Sequence, residues 1–105
     1  MSQHYESFED FYPYYLEEHS NRTNRRLHFI GSTAGAALFF YGLLSLNLAT
    51  FGKCLLGALL IGYGSAWVGH FFFEHNKPAT FQYPWMSYKG DWKMWWQMLT
   101  GKIRF

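Results

Sequence analysis

The sequence predicts an all-α integral membrane protein with two antiparallel transmembrane helices and an amphipathic interfacial helix at each end. Half of the 105 residues are apolar, 23% are aromatic and only 15% are charged, whereas ordinary soluble domains carry about 25% charged residues. The shortfall is concentrated in two stretches, since residues 29–52 and 54–73 contain no formally charged residue and only Lys53 separates them. Each stretch reaches the roughly 20 residues that a helix needs to cross a bilayer.

The chain is expected to form one membrane domain, residues 1–105, with spans at about 25–48 and 54–75. Residues 47–53 would form a tight connection, so the two spans must be antiparallel neighbours. Asn24 is the expected N-cap of the first span.

An aromatic amphipathic helix is expected on either side of the two spans. Residues 5–18 place aromatic side chains at helical spacing, which predicts a surface helix that Pro13 kinks or divides. Residues 76–90 are expected to be a loop after the second span. The following residues place a Trp-rich face at helical spacing, which is typical of an interfacial anchor: Trp92, Trp95, Trp96 and Leu99.

Charge and cysteine content narrow the function classes. The net charge of +2 is too small to indicate nucleic-acid binding. The single cysteine, Cys54, excludes an internal disulfide and a thiolate metal cluster. Basic residues flank the outer ends of both spans, whereas Lys53 alone lies in the connection, so both termini are expected to be cytoplasmic. The flanking residues are Arg22, Arg25, Arg26, Lys77, Lys89, Lys93, Lys102 and Arg104.

Two histidines far apart in sequence are expected at one membrane face. Because the turn is expected near residue 50, positions whose numbers sum to about 100 lie at the same depth in the membrane. His28 then lies at the depth of about residue 72, and His70 at the depth of about residue 30. Each histidine continues a row of small residues, which let transmembrane helices approach closely, so both should point into the contact between the spans. The rows are Gly31, Ser32, Gly35 and Gly42 after His28, and Ala66, Gly62 and Ala58 before His70.

These histidines have further metal-binding residue types around them. Glu74 lies one helical turn beyond His70, and His19 lies close to the start of the first span. Two or three imidazoles with a carboxylate suit iron, zinc or manganese, and such a set with open positions is typical of non-haem iron oxygenases. His75 is expected to support the ligands rather than bind, and His4 to lie at the surface.

Other interpretations remain open on the residues alone. His28 and His70 could be axial ligands of haem in an electron-transfer protein. The polar cluster could instead be a hydrogen-bond network in a non-enzymatic protein that binds membrane lipid. Gly31 and Gly35 could equally form a homodimer contact.

Two segments carry a recognisable pattern: "FYPYYLEEHSNRTNRRLHFIG" (11–31) and "GHFFFEHNKPATFQYP" (69–84). Their spacing is His–x4–Asn–x3–His in the first and His–x3–Glu–x–Asn–x–Pro–Ala in the second. The chain thereby resembles the family of small membrane proteins that includes the yeast 2-hydroxy fatty acid dioxygenase of fatty acid α-oxidation. Eukaryotic members have more hydrophobic sequence than two spans, so this compact form is expected in a bacterial inner membrane rather than the endoplasmic reticulum.

The resemblance implies a dioxygenase that uses iron(II), Fe²⁺, and O2 to shorten a long-chain 2-hydroxy fatty acid by one carbon. Carried onto this chain, it implies catalytic and metal-binding roles for His19, His28, His70 and Glu74. Asn24 and Asn76 would support these residues by hydrogen bonding, whereas His75 lies between the motif positions. Arg25 or Arg26 could pair with the substrate carboxylate, and the acyl chain would lie between the spans and the aromatic helices.

Overall fold

A computed structural model describes residues 5–105, and every regular element in this range is helical. The all-α prediction is therefore confirmed for this part of the chain, while His4 lies outside it. The elements in order are α1 (Phe8–Glu17), α2 (Arg22–Leu44), α3 (Leu48–Val68), a π-helical segment (Gly69–Glu74), a 3-10 turn (Ala79–Phe81) and α4 (Pro84–Leu99).

Two helices are long and apolar enough to cross a membrane. They are α2, with 23 residues, and the continuous helix Leu48–Glu74, with 27 residues. Only 22% and 17% of their most apolar stretches are buried inside the protein. Core helices of soluble proteins bury most of such a surface, so the outward-facing apolar side chains of this pair are compatible with a membrane protein.

The connection between these helices is shorter than expected and lies closer to the N-terminus. It covers residues 45–47 instead of 47–53. Asn47 is the N-cap of α3, and its side chain accepts a hydrogen bond from the Thr50 N–H at 3.0 Å. Leu46 turns the chain with a φ of 54°. The first of these helices therefore ends four residues, and the second begins six residues, before the predicted positions.

The first span also begins earlier, at Arg22, because Asn21 and not Asn24 is the N-cap. The Asn21 side chain accepts a hydrogen bond from the Asn24 N–H at 3.1 Å. Asn24 lies within the first turn of α2 and is fully buried. Both asparagines are good caps by residue type, so the sequence alone did not distinguish them.

Glycines on α2 form a close contact with α3, as predicted. A Cβ added to Gly31 would lie 2.6 Å from Ser65 Cβ, and one added to Gly42 would lie 2.7 Å from Cys54 Cβ. At Gly35 the added atom would lie 3.1 Å from the carbonyl oxygen of Ala58. The absence of side chains at these positions therefore allows the two helices to approach.

On the α3 side of this contact the prediction is confirmed for Ala58 but not for Gly62 and Ala66. Ser65, Ala58 and Cys54 face α2, whereas a Cβ on Gly62 would meet nothing within 4 Å. Gly62 and Ala66 instead line a groove beside the contact. Gly62 and Ala66 each follow a contact residue, Ile61 or Ser65, by one position, and one position turns a helix by 100° at 3.6 residues per turn, so both lie to the side of the contact face.

Helix α1 is capped by Ser7, whose hydroxyl accepts a hydrogen bond from the Asp10 N–H at 3.2 Å. Pro13 lies inside this helix and does not divide it. Phe11 and Tyr15 are completely buried, so these aromatics belong to a protein core and not to a surface-anchoring face.

Helix α4 supplies the other half of that core. It begins at Pro84, a residue suited to the first helical position, so half of the expected loop 76–90 is helical. Gly90 faces α1, where an added Cβ would lie 2.9 Å from the Tyr15 ring. Trp95 connects α4 to α2 by donating its ring N–H to Thr33 Oγ1 at 2.8 Å. The buried apolar residues are Phe11, Tyr12, Tyr15, Ala79, Tyr83, Met94 and Met98.

Candidate metal centre

Three buried histidines from three different elements meet at one point. His19 follows α1, His28 lies in α2, and His70 lies in the π-helical segment. His19 Nε2 is 3.1 Å from His28 Nε2 and 3.0 Å from His70 Nε2. The three imidazoles are between 2% and 5% exposed. The predicted convergence of these residues is thus present, and together they could hold a metal ion.

Tyr15 positions the His19 ring in two ways. His19 Nδ1 lies 2.7 Å from the Tyr15 carbonyl oxygen, and the two rings stack with centroids 3.9 Å apart. Burial lowers the pKa of His19 well below its usual value, and the neighbouring imidazoles of His28 and His70 lower it further. His19 is therefore neutral and able to offer a lone pair.

The other two rings are held through the same nitrogen. His28 Nδ1 lies 2.9 Å from the Asn24 carbonyl oxygen, and His70 Nδ1 lies 2.6 Å from Asn76 Oδ1. The orientation of the Asn76 amide is fixed because its Nδ2 donates to the Glu18 carbonyl oxygen at 3.0 Å. Asn76 therefore presents an oxygen, which only accepts, to His70.

These hydrogen bonds determine where the imidazole protons lie. Each Nδ1 faces an oxygen acceptor and must donate, so in the neutral rings each Nε2 carries a lone pair. Three lone pairs then face one another in a buried site with no proton between them, which is unfavourable without a cation. Three nitrogens, each about 2.1 Å from one ion and at right angles, would lie about 3 Å apart. The observed spacing fits such an ion.

The π-helical segment brings Asn76 back to His70. His75 ends it in the left-handed conformation, with a φ of 61°, and the Asn76 N–H donates to the His70 carbonyl oxygen at 3.0 Å. Short π-helical segments are frequent at functional sites. The His75 imidazole is exposed, so this residue acts through its backbone and not through the side-chain support that was expected.

Glu74 lies beside the three histidines, but its carboxylate oxygens do not belong to the group of atoms that could bind one metal ion together. One carboxylate oxygen accepts from the Asn21 N–H at 2.8 Å and from Asn24 Nδ2 at 3.0 Å. The other accepts from Ser20 Oγ at 2.9 Å. Glu74 thus caps the N-terminus of α2, where the helix dipole favours a negative charge, and joins it to the end of the second span.

Three polar residues that the sequence did not single out border the histidines. Tyr15, Ser87 and Asp91 line a small pocket with all three imidazoles. The Tyr15 hydroxyl donates to Asp91 Oδ1, and the buried Ser87 hydroxyl has no hydrogen-bond partner among residues 5–105. Burial raises the pKa of Asp91 to about 7, although the Tyr15 hydrogen bond opposes this shift.

A signal for Ser87 and Asp91 was present in the sequence. With Met94 and Met98 they occupy one face of α4, spaced i, i+4, i+7 and i+11. The Trp-rich face on the other side of this helix is the more conspicuous pattern. Because residues 76–90 are expected to be a loop, the helical spacing between Ser87 and Asp91 is apparent only once α4 is known to begin at Pro84.

The model of one protein family matches residues 5–103, nearly the entire chain. The chain belongs to the Mpo1-like family. Its description is 2-hydroxy-palmitic acid dioxygenase Mpo1-like, which confirms the resemblance drawn from the two histidine motifs. No curated protein and no solved structure matches the chain.

The structure of this Mpo1-like chain argues against the haem alternative. A haem ligated by His28 and His70 needs its ring plane between the two imidazoles. His19 Nε2 lies within 3.1 Å of both of their Nε2 atoms, which leaves no space for a macrocycle.

The arginines expected to bind a substrate carboxylate contact the backbone of the Mpo1-like chain. Arg25 Nη1 donates to the carbonyl oxygens of His19 and Ser20 at 3.1 and 2.8 Å. Arg26 Nε donates to the Phe105 oxygen at 2.8 Å, and its guanidinium lies over the Phe105 ring. Arg25 therefore holds the turn that carries His19, while Arg26 holds the C-terminal segment.

Proposed function

We propose that this protein is an iron(II)-dependent dioxygenase that shortens long-chain 2-hydroxy fatty acids by one carbon. The observation that carries the proposal is the convergence of the three Nε2 atoms of His19, His28 and His70 in a buried site. The family description supplies the substrate class.

The donor set narrows the choice of ion. Neutral imidazoles suit iron, copper, nickel and zinc, whereas magnesium and calcium prefer oxygen ligands. A metal-dependent dioxygenase requires a redox-active ion, and bound iron(II) would supply the reaction with O2. His19, His28 and His70 would hold it.

The surrounding residues of the chain orient these donors. The acceptors on Nδ1, namely the Tyr15 and Asn24 carbonyl oxygens and the Asn76 amide oxygen, fix each ring and increase the basicity of its Nε2. Glu74 holds the two helix ends together, which keeps His28 and His70 at their spacing. The stacked Tyr15 ring covers one face of His19 and shields it from water.

The proposal places the site at the membrane surface. The apolar helices α2 and Leu48–Glu74 would span the bilayer, with the histidines at the end opposite the 45–47 connection. Basic residues cluster at the histidine end, so this end and both termini would be cytoplasmic. A fatty acid could then reach the site directly from the lipid.

The experiment is metal analysis and turnover on matched histidine variants. Protein purified without chelators should contain about one iron, and with O2 and 2-hydroxypalmitic acid it should form the acid that is one carbon shorter. His19→Ala, His28→Ala and His70→Ala should each lose the metal and the product. His75→Ala, which removes an exposed imidazole, should keep both.

Two results would contradict this proposal. One is full metal content and activity in any of the three variants, since loss of one of three ligands leaves too few to hold the ion. The other is a wild-type protein that binds 2-hydroxypalmitic acid but never converts it when supplied with iron(II) and O2. That result would favour the non-enzymatic lipid-binding interpretation.

A further inference from the structure

An apolar groove of about 640 Å³ runs beside the contact between α2 and α3 and along α4. His28, Tyr63, Ala66 and Asp91 line one end of it, and the same four residues line the small histidine pocket. The groove and the candidate metal centre therefore adjoin each other.

The far end of the groove lies well inside the apolar part of the spans. Phe39, Phe40 and Leu55 line that end, and eleven residues separate His28 from Phe39 along α2. At the rise of an α-helix this distance is about 16 Å, enough for an extended chain of roughly a dozen methylenes.

Polar and apolar groups are separated along the groove. The histidine and the carboxyl group, His28 and Asp91, lie where it meets the metal centre, whereas the middle is lined by Gly35, Ala58 and Gly62. A ligand with one polar head and one long unbranched tail matches this distribution. The volume falls within the range of small-molecule sites, about 300–1,000 Å³.

We propose that this groove binds the acyl chain of the substrate and that Gly62 determines the chain length accepted. The proposal rests on the proposed function, since the polar head must lie at the histidines for the reaction to occur there. Gly62 has no atom within 4 Å of its missing Cβ, so its hydrogen leaves the middle of the groove open. A larger residue there would close the groove about 6 Å from Ala66, one helical turn below the histidine end.

The first test compares two glycines of the same helix. A Cβ on Gly62 or on Gly64 meets nothing within 4 Å, but only Gly62 lines the groove. Gly62→Leu should reduce turnover of 2-hydroxypalmitic acid at least tenfold relative to a 2-hydroxy acid of eight carbons. Gly64→Leu should leave the ratio between the two substrates unchanged.

The second test does not depend on turnover. A 2-hydroxy fatty acid with a photoreactive diazirine in the middle of its chain is bound to the purified protein in detergent, and the labelled peptides are mapped. Label should fall on side chains that line the groove, namely Phe39, Phe40, Leu55 and Leu59, and Gly62→Leu should reduce it while Gly64→Leu does not.

Each alternative occupant gives a different result. Label spread over Leu44, Leu56 and Leu60, which face outward away from the groove, indicates lipid coating the spans and overturns the proposal. Cross-linked dimers that exclude the label mean that a second copy covers the groove, which also overturns it.

The two proposals can fail separately. Labelled groove walls in a protein without turnover would overturn the dioxygenase proposal and support the acyl-chain site. Turnover with an unchanged chain-length profile in Gly62→Leu would overturn the groove and support the dioxygenase.

Discussion

Gly69→Ala should disturb the candidate metal centre through a single added methyl group. Gly69 begins the π-helical segment and packs against the first turn of α2. An ideal Cβ there would lie 2.0 Å from Asn24 Oδ1, 2.9 Å from its Cγ and 3.2 Å from its Cα. Rotation of the Asn24 side chain cannot relieve the contact with Cα, so the two helix ends must separate.

The expected loss of stability and of metal affinity follows from the contacts that Asn24 makes. Overpacking a close contact costs about 1–3 kcal/mol, and the short distances to both side chain and backbone place this change near the upper end. Asn24 also donates to Glu74 and accepts from His28. A displaced Asn24 therefore rotates one of the three imidazoles, and metal affinity should fall together with stability.

The assay is thermal unfolding in detergent, with metal content measured on the same samples. At roughly 4–8 °C per kcal/mol for a domain of this size, Gly69→Ala should lower Tm by about 10 °C or more. Gly64→Ala is the matched control, because its Cβ meets nothing within 4 Å and alanine favours helix by up to about 1 kcal/mol. Equal Tm and equal metal content in the two variants would refute the reasoning.

Three further perturbations separate charge, hydrogen bonding and topology. Asp91→Asn should raise Tm relative to wild type more at pH 8 than at pH 5. Burial raises the pKa of Asp91 in the folded protein to about 7. The protonated carboxyl group therefore stabilises the fold at low pH, and this contribution is lost as the pH rises through 7. A pH-independent difference would disprove this. Asn76→Ala removes the acceptor on His70 Nδ1 and should weaken iron binding about 10–100-fold, measured by competition with a chelator; unchanged affinity would show that the acceptor is not needed. For topology, single cysteines at Thr50 and at Lys102 in a Cys54→Ala protein should be labelled from opposite sides of intact cells, and labelling of both from one side would contradict the proposed orientation.

Much of the fold could be read from the sequence because its main signals are strong and local. Two uncharged stretches identify the spans, and the short connection forces them to be antiparallel. The glycines of α2 predicted its contact face correctly, since Gly31, Gly35 and Gly42 all lie within close reach of α3. In antiparallel neighbours with a turn near residue 50, His28 and His70 lie at nearly the same height, which predicted that they meet.

The remaining features depend on tertiary contacts that residue types do not specify. Asn21 and Asn24 are equally good caps, and only the hydrogen bond from the Asn24 N–H to the Asn21 side chain shows that Asn21 begins the helix. The amphipathic pattern of α1 does not reveal whether its aromatic face meets lipid or protein, and burial against Gly90 decides for protein. The contribution of Asp91 to the site required knowledge that α4 begins at Pro84.

The origin of the three histidines has a consequence for how the protein responds to its ion. His19, His28 and His70 come from separate elements, so an ion bound to all three would act as a cross-link closing chain loops between residues 19, 28 and 70. Its binding energy would then appear as folding energy of α1 and of the segment after Val68. Removal of iron should therefore loosen these two segments first, while the α2–α3 pair, whose glycine contacts need no ion, stays together. Hydrogen exchange before and after chelation would make the two behaviours visible in one experiment.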